Sequence, residues 1–360
     1  MAKPRTLTFL YWSTDLNILI VTEKPSLSKI IAPACRAHWP AANITFVHAV
    51  PYGNFRFRYP RGLKLQDYPL VCEPVYQLNK WDTWFCPPFV MGADGSLSKT
   101  AMSEELFTQA DEIVFACDPD YGGAVAFDVL MAAVFGDNRA LACPALIIIG
   151  VDQASIERAF AQIPAFGPSC RERLEYGRVK YYFDWNWNVN ALVILGEAQR
   201  AAGVPANAPP LSKYALQLLY ALRNEQPLNE PLKDGPLVHR MANWPGTGRY
   251  RHLQGHWHNR LGSVASRQEI INNLVAAGLL DRTFLEMTRP LREFESPPST
   301  LALSERGHAL LARLHPDCED PDLPFRLGAW CEKGVESKPA INRYIKTFFG
   351  KQKRFNAREA

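Results

Sequence analysis

Residues 17–31, NILIVTEKPSLSKII, and residues 112–130, EIVFACDPDYGGAVAFDVL, decide the fold. Each stretch begins with a short apolar run rich in Ile and Val, continues through a polar turn, and resumes apolar residues at helical spacing. This order predicts a strand, a loop and a helix in each stretch. Two such units favour an α/β domain with an open, largely parallel sheet flanked by helices.

Acidic side chains stand at the end of both predicted strands. Glu23 follows the first strand, and Asp118 and Asp120 follow the second. Because ligands of open α/β sheets lie beyond the carboxyl ends of the strands, these residues can converge on one site. Carboxylate oxygens suit Mg²⁺ and, through it, phosphate. We therefore predict that the three acids are metal ligands, with Lys24 beside them either as a phosphate contact or as a solvated charge.

Two motifs in these stretches resemble the Toprim domain of type IA DNA topoisomerases, in particular the topoisomerase III branch. Residues 22–26, Thr-Glu-Lys-Pro-Ser, are similar to the family's opening motif. Residues 118–120, Asp-Pro-Asp, are similar to the start of its second motif, Asp-x-Asp-Arg-Glu-Gly-Glu. The resemblance implies a Toprim fold, with Glu23, Lys24, Asp118 and Asp120 as catalytic residues and Mg²⁺ as cofactor.

The second motif also departs from the family. Residues 121–124 read Tyr-Gly-Gly-Ala where the family has Arg-Glu-Gly-Glu. One of the missing glutamates helps to hold metal in the family. The resemblance therefore implies a Mg²⁺ site that is weakened or lost.

A second region of resemblance predicts the DNA-holding domain of these topoisomerases. Residues 184–190 resemble part of the helix that enters that domain, and residues 260–271, RLGSVASRQEII, are similar to Gly-Leu-Gly-Thr-Pro-Ala-Thr-Arg-Ala-Glu-Ile-Ile. The resemblance implies that Asn190, Ser266 and Arg267 contact DNA. It also implies a mainly helical domain with a winged-helix-like part around residues 260–310.

In this family an arch of two domains carries the cutting tyrosine, and no part of this sequence resembles that arch. Residues 198–212 are small residues and prolines without periodicity, which mark a domain boundary. The segment that follows resembles the part of the family that lies after the arch. No tyrosine nucleophile is identified, and Tyr250, between Arg249 and Arg251, is the remaining candidate; Tyr11 lies on the wrong side of the Toprim domain.

The densest mixture of basic and aromatic residues follows the second predicted strand. Its basic members, interleaved with Phe55, Phe57 and Tyr59, are Arg56, Arg58, Arg61 and Lys64. Such mixtures suit single-stranded nucleic acid, because cations follow phosphates and rings stack on bases. A half-buried strand with one charged face explains the pattern equally well. We name Arg56, Arg58 and Lys64 as candidate DNA contacts.

Bulk composition limits the class of protein without deciding it. The net charge of +4 over 360 residues is too small for a polycation, so any nucleic-acid surface is a local patch. The eight cysteines include no Cys-x-x-Cys pair, which favours reduced thiols in an intracellular protein. No apolar run has the length of a membrane span, and we expect a cytoplasmic protein without a membrane partner.

The predicted domain order is a lead-in over 1–16, a Toprim domain over 17–165, a helical DNA-binding domain over 166–330 and a basic tail over 331–360. The Toprim part includes an inserted region over 44–85, with a strand pair in 44–58, and a buried strand over 145–149. A helix is predicted over 171–195. The tail could hold nucleic-acid backbone or fray. A metal site at His252, His256 and His258 lacks a cysteine or acidic ligand and is less favoured than a loop.

Three functions stay open on the sequence. The first is a protein that binds DNA, with preference for single strands, and cannot relax supercoils alone; it would act with a protein partner in DNA processing or conjugation, as part of a mobile element. The second is a Mg²⁺-dependent Toprim nuclease that uses water instead of tyrosine. The third is a structural interaction module in which Glu23, Asp118 and Asp120 have no catalytic role.

Overall fold

The chain divides into two compact units, which we describe separately. In the computed structural model, the described residues are 16–49, 53–136, 139–231, 235–250, 252, 260–286 and 297–359. Unit 1 comprises residues 1–58 and 75–178, and unit 2 comprises residues 59–74 and 179–360. A segment from the first half of the sequence, 59–74, thus belongs to the second unit.

A five-stranded mixed sheet organises unit 1. Its strands, in chain order, are β1 (Asn17–Thr22), β2 (Asn43–His48), β5 (Phe89–Met91), β6 (Leu97–Lys99) and β7 (Glu112–Ala116). Their order across the sheet is β6-β5-β2-β1-β7. β1 is parallel to both β2 and β7, whereas β5 and β6 add antiparallel strands at one edge. The strands from β2 to the edge strand β7 are therefore parallel, and the sheet as a whole is mixed rather than largely parallel as predicted.

The apolar runs of the two opening stretches form the core of unit 1. Ile18, Ile20 and Val114 are buried in the sheet, and Ile31 packs against them from the first helix. Strands covered on both faces read as continuous apolar runs, as both stretches do. The helices of unit 1 are α1 (Pro25–His38), α2 (Glu105–Thr108), α3 (Tyr121–Phe135), α4 (Gln153–Ala161) and the start of α5 (Phe166–Asn190).

The basic and aromatic cluster does not extend the main sheet. Residues 44–58 were predicted as a strand pair, but their second strand, β3 (Phe55–Phe57), pairs with β4 (Tyr76–Leu78) in a separate two-stranded sheet. The prediction of a strand over 145–149 is wrong, because these residues do not form a strand. They make one parallel bridge, between Phe115 and Ala145, and Ile149 is largely exposed.

Unit 2 is mainly helical. Its helices after α5 are α6 (Gly196–Ala201), α7 (Lys213–Leu222), α8 (Pro236–Ala242), α9 (Val264–Ala276), α10 (Glu305–Ala312), α11 (Leu323–Lys333) and α12 (Lys338–Glu359). A π-helical turn over Ala191–Leu195 ends α5, within the predicted helix 171–195. Strands β8 (Leu228–Pro231), β9 (Leu280–Phe284) and β10 (Pro298–Leu303) form an antiparallel sheet in the order β8-β10-β9.

Aromatic packing holds the last helix of unit 2. Trp187 of α5 lies 4.8 Å from Phe348 and 5.1 Å from Phe349 of α12, measured between ring centroids. Ile341 and Ile345 on the same side of α12 are fully buried. The C-terminal region, for which fraying was one alternative, is therefore a packed helix.

Two buried polar clusters stabilise α5 in unit 2. Asp184 accepts hydrogen bonds from the ammonium groups of Lys180 and, at 2.6 Å, Lys213. Burial lowers the pKa of Lys213 to about 8, against the opposing effect of the Asp184 charge. Burial raises the pKa of Asp184, but the two ammonium groups outweigh it and the net direction is downward.

Asn186 and Asn190 form the second cluster. The Asn190 side chain accepts from the Leu70 N–H and donates to the Leu70 carbonyl, both at 2.7 Å. Asn186 does the same with Cys72 at 2.9 Å. These two side chains fix the segment 70–72 by pairing with its backbone as a neighbouring strand would.

All eight cysteines are free, and five of them are buried. Within the described residues, no helix is both long enough and apolar enough to cross a membrane.

Candidate functional site

The carboxyl ends of β1 and β7 bring the predicted acidic residues together. Thr22 at the end of β1 lies in register with Ala116 at the end of β7, so Glu23 and Asp118 leave the sheet side by side. We call Glu23, Lys24, Asp118 and Asp120 the acidic edge.

An ion pair joins the two loops of the acidic edge. The Lys24 Nζ lies 2.7 Å from Asp118 Oδ2, and the two side chains are 57% and 38% exposed. The hydrogen bond to Asp118 raises the pKa of Lys24. Because water screens an exposed pair, its contribution to stability is at most about 1 kcal/mol. Lys24 is therefore held beside the acids yet can exchange its partner readily.

Glu23 is the most perturbed group of the acidic edge. Burial, followed by repulsion from Asp118 and Asp120, raises its pKa from 4.5 to about 7. Its Oε2 atom is buried and has no hydrogen-bond partner in the described part of the chain. The charge of Lys24 lowers this pKa, but by less than burial and the two aspartates raise it.

Asp120 serves the helix that follows it. Its Oδ1 accepts a hydrogen bond of 2.8 Å from the Gly123 N–H and so caps α3. A Cβ at Gly123 would lie 2.2 Å from the Asp118 carbonyl oxygen. The turn therefore requires glycine at this position, which is the one residue kept from Arg-Glu-Gly-Glu. Ala124 is fully buried, and Tyr121 packs 5.4 Å from Tyr176 between ring centroids.

A buried hydrogen-bonded chain beneath the acidic edge was missed by the sequence analysis. Thr22 Oγ1 lies 2.8 Å from Ser28 Oγ, which lies 3.1 Å from His48 Nε2. His48 ends β2 in register with Thr22, and burial lowers its pKa to about 4. The chain ties β1, α1 and β2 together directly below Glu23. Its one sequence signal was a lone histidine at the end of the apolar run 44–49.

The acidic edge fits a metal ion in a limited way. Among the described residues, no three His, Cys, Asp or Glu side chains form a group that could hold a metal ion. Lys24 donates a hydrogen bond to one carboxylate oxygen of Asp118, and Asp120 accepts one from the Gly123 N–H at the start of α3. The partnerless oxygen of Glu23 fits a cation held by one or two carboxylates together with water and phosphate, which is a common mode for Mg²⁺.

The candidate DNA contacts near β3 are exposed. Arg56 and Arg58 lie on its outer side, alternating with buried Phe55 and Phe57. This is the charged face of a half-buried strand, and it leaves both guanidinium groups accessible. In unit 2, Lys64 is also exposed, and its backbone N–H donates to Asp67 Oδ2 at 2.7 Å.

The other candidate DNA contacts differ in their accessibility. Asn190 is fully buried, and its amide is used by Leu70 and by the Asn186 carbonyl, so its role is structural. Ser266 bonds back to Ser263, the cap of α9. Arg267 is 5% exposed, and burial, with a smaller effect of Arg260, lowers its pKa.

Tyr250 is half-buried and stacks on Phe325 at 6.1 Å between ring centroids. His252 lies 6.2 Å from its ring. The remaining positions of the histidine hypothesis, His256 and His258, and the other tyrosine, Tyr11, lie outside the described residues.

Comparison with models of protein families gave no match, and no curated protein matches the sequence.

Proposed function

We propose that this chain is a Toprim-type DNA-binding protein related to type IA topoisomerases, which binds single-stranded DNA and does not relax supercoils alone. One observation carries the proposal. Glu23 and Asp118 meet at the ends of two adjacent parallel strands, and Glu23 has a raised pKa and a buried oxygen without a partner. Such a site is suited to a cation that in turn binds phosphate.

The residues of the acidic edge have separate tasks in this proposal. Glu23 and Asp118 would hold Mg²⁺, which would supply positive charge for a DNA phosphate. Lys24 contacts the same phosphate after exchanging its exposed partner Asp118. Asp120 keeps the α3 turn in shape through Gly123. In unit 2, the segment 260–310 is proposed as the winged-helix-like part that holds the strand.

A nuclease is the second candidate, and one observation favours it. The pKa of Glu23, about 7, lies near physiological pH, where a carboxylate can accept a proton from water efficiently. Glu23 would then be the general base that activates water for attack on the phosphodiester. This reaction needs no tyrosine, and cleavage leaves no covalent link to protein.

Incubation with circular single-stranded and negatively supercoiled DNA, with and without Mg²⁺, tests these proposals. We expect single-stranded DNA to be bound more tightly with Mg²⁺, and the double variant Glu23→Gln, Asp118→Asn to lose that enhancement. Asp128→Asn is the matched control, because this acid of unit 1 is paired with Arg178 and lies outside the acidic edge. It should behave as the parent protein does.

The products separate the remaining possibilities. Cleavage without an adduct, lost in Glu23→Gln, would favour the nuclease. Relaxation, or a protein–DNA adduct after denaturation, would contradict the view that no cutting tyrosine is present. Absence of binding to either DNA would overturn both proposals and leave a structural module.

A further inference from the structure

The outer side of α12 carries a row of basic residues. The four are exposed and are separated by three, eight and four residues: Arg343, Lys346, Arg354 and Arg358. These spacings are close to whole turns of a helix with 3.6 residues per turn, so the side chains lie on one side. The row is about 22 Å long at 1.5 Å per residue. We call these four residues the basic face.

The other basic residues of α12 are already paired. Lys338 bonds to Glu73 at 2.6 Å, Lys351 bonds to Asp317, and Lys353 donates to the carbonyls of Leu65 and Tyr68 at 2.9 and 2.8 Å. These contacts anchor the helix at its flanks, within unit 2. The basic residues of α12 thus divide into three that hold the helix and four that point outward.

The basic face has no partner among the residues that the structure describes: none of its members forms an ion pair or a side-chain hydrogen bond with them. Two acids that reach α12 are engaged, Asp317 by Lys351 and Glu197 by Asn356. The one acid in the helix sequence is its last residue, Glu359. The chain has 40 Lys and Arg against 36 Asp and Glu. Its net charge of +4 therefore equals the number of basic residues in the basic face.

We infer that the basic face of α12 binds the phosphate backbone of a nucleic acid. This inference rests on the proposed function and adds to it a contact surface in unit 2. A rigid helix with cations at regular intervals matches a linear polyanion, and guanidinium groups bind phosphate in a bidentate manner. The predicted basic tail is therefore mostly a helix, α12, which holds these four cations at fixed spacings.

The apolar side of α12 argues against a membrane surface as the partner. A helix that lies in a membrane interface buries its apolar side in lipid. Here that side, with Ile341, Ile345, Phe348 and Phe349, is buried in unit 2. The exposed neighbours of the basic face, Thr347 and Ala357, offer no large apolar group.

The test compares two charge-matched quadruple variants of the full chain. One replaces Arg343, Lys346, Arg354 and Arg358 with Gln. The control replaces four exposed basic residues elsewhere with Gln: Lys29, Lys99, Arg171 and Lys333. Binding of a labelled single-stranded oligothymidine is measured by fluorescence anisotropy over a series of salt concentrations, after circular dichroism and thermal unfolding have shown that both variants fold.

We expect the basic-face variant to lose at least about tenfold in affinity at low salt and its salt slope to decrease in magnitude by about 3, since each phosphate contact on a single strand contributes about 0.7. The control should retain most of the affinity. Equal losses in both variants would overturn the inference in favour of bulk charge. An unchanged basic-face variant, beside a parent protein that binds DNA, would overturn the inference and leave the proposed function standing.

Two further arms separate the remaining outcomes. The Glu23→Gln, Asp118→Asn variant should lose the Mg²⁺-dependent part of binding and keep the salt slope, so failures of the two proposals are distinguishable. Vesicles of phosphatidylcholine with phosphatidylserine should not bind. If they bind through the same four residues while DNA does not, the nucleic-acid assignment is wrong.

Discussion

Replacing Glu23 by Gln is expected to stabilise the protein at alkaline pH. The pKa of Glu23 is raised from 4.5 to about 7, so between these values the folded protein retains a proton that the unfolded chain has released. The free energy of unfolding therefore falls as the pH rises through this window, and the cost is complete above pH 7. Gln carries no charge at any of these pH values and removes the cost.

The size of the effect follows from the two pKa values. At 1.36 kcal/mol per pKa unit, their difference sets a ceiling of about 3 kcal/mol. Glu23 is half-buried and reached by solvent, which screens the charge, so we expect a gain of about 1–2 kcal/mol at pH 8.5. At pH 4.5, where Glu23 is protonated in the folded protein, the gain should be close to zero.

Urea unfolding of the parent and of Glu23→Gln at pH 8.5 and pH 4.5, without divalent cations, measures this difference. Glu172→Gln, at an exposed position of α5, is the control and should change stability little at either pH. A Glu23→Gln variant that is less stable than the parent at pH 8.5 would refute the reasoning. An equal gain at both pH values would show that packing, rather than charge, is responsible.

Three other substitutions test local geometry, each by thermal or urea unfolding. Gly123→Ala should cost about 1–3 kcal/mol or more, because the new Cβ would lie 2.2 Å from the Asp118 carbonyl oxygen. Asp184→Asn should cost about 3–5 kcal/mol, because it leaves the buried ammonium group of Lys213 and the partly buried one of Lys180 without their carboxylate. Asn190→Ala should cost about 1–3 kcal/mol, because the Leu70 N–H and carbonyl lose their partner.

Matched variants make the Gly123 and Asp184 results interpretable. At Gly122 a Cβ would meet a side-chain oxygen of Asp120 at 3.2 Å rather than backbone, so Gly122→Ala should be milder than Gly123→Ala. Asp128→Asn breaks an ion pair with Arg178, whose side chain is 50% exposed, and should cost at most about 1 kcal/mol. If either comparison is reversed, the corresponding contact does not control stability.

The parts of the fold carried by local periodicity could be predicted from the sequence. The strand, turn and helix of residues 17–31 and of residues 112–130 are confirmed as β1 with α1 and β7 with α3. The packing of Glu23 beside Asp118 followed from a general property of α/β sheets, since parallel strands end at the same edge.

The features that could not be predicted depend on distant partners. Asn190 lies in a helix where a polar residue could face either solvent or core, and its burial is decided by Leu70, 120 residues away. His48 lies beside Thr22, and is linked to it through Ser28, because of the register between β1 and β2, which no sequence pattern specifies. The apolar run at 145–149 indicated burial correctly for Leu146, but its pairing with β7 is limited to the bridge between Phe115 and Ala145.

Residues 59–74 are synthesised with the first half of the chain but pack in unit 2. This segment leaves the ribosome long before Asn186 and Asn190, which bind its backbone and are 114 and 120 residues further along. At roughly 5–20 residues per second, the delay is on the order of 6–24 s. During translation the segment must wait, exposed and unpaired, while the strands of unit 1 are completed around it in sequence. Nascent chains stalled before residue 186 should therefore be cleaved by protease within 59–74, and chains stalled well beyond residue 190 should be protected there.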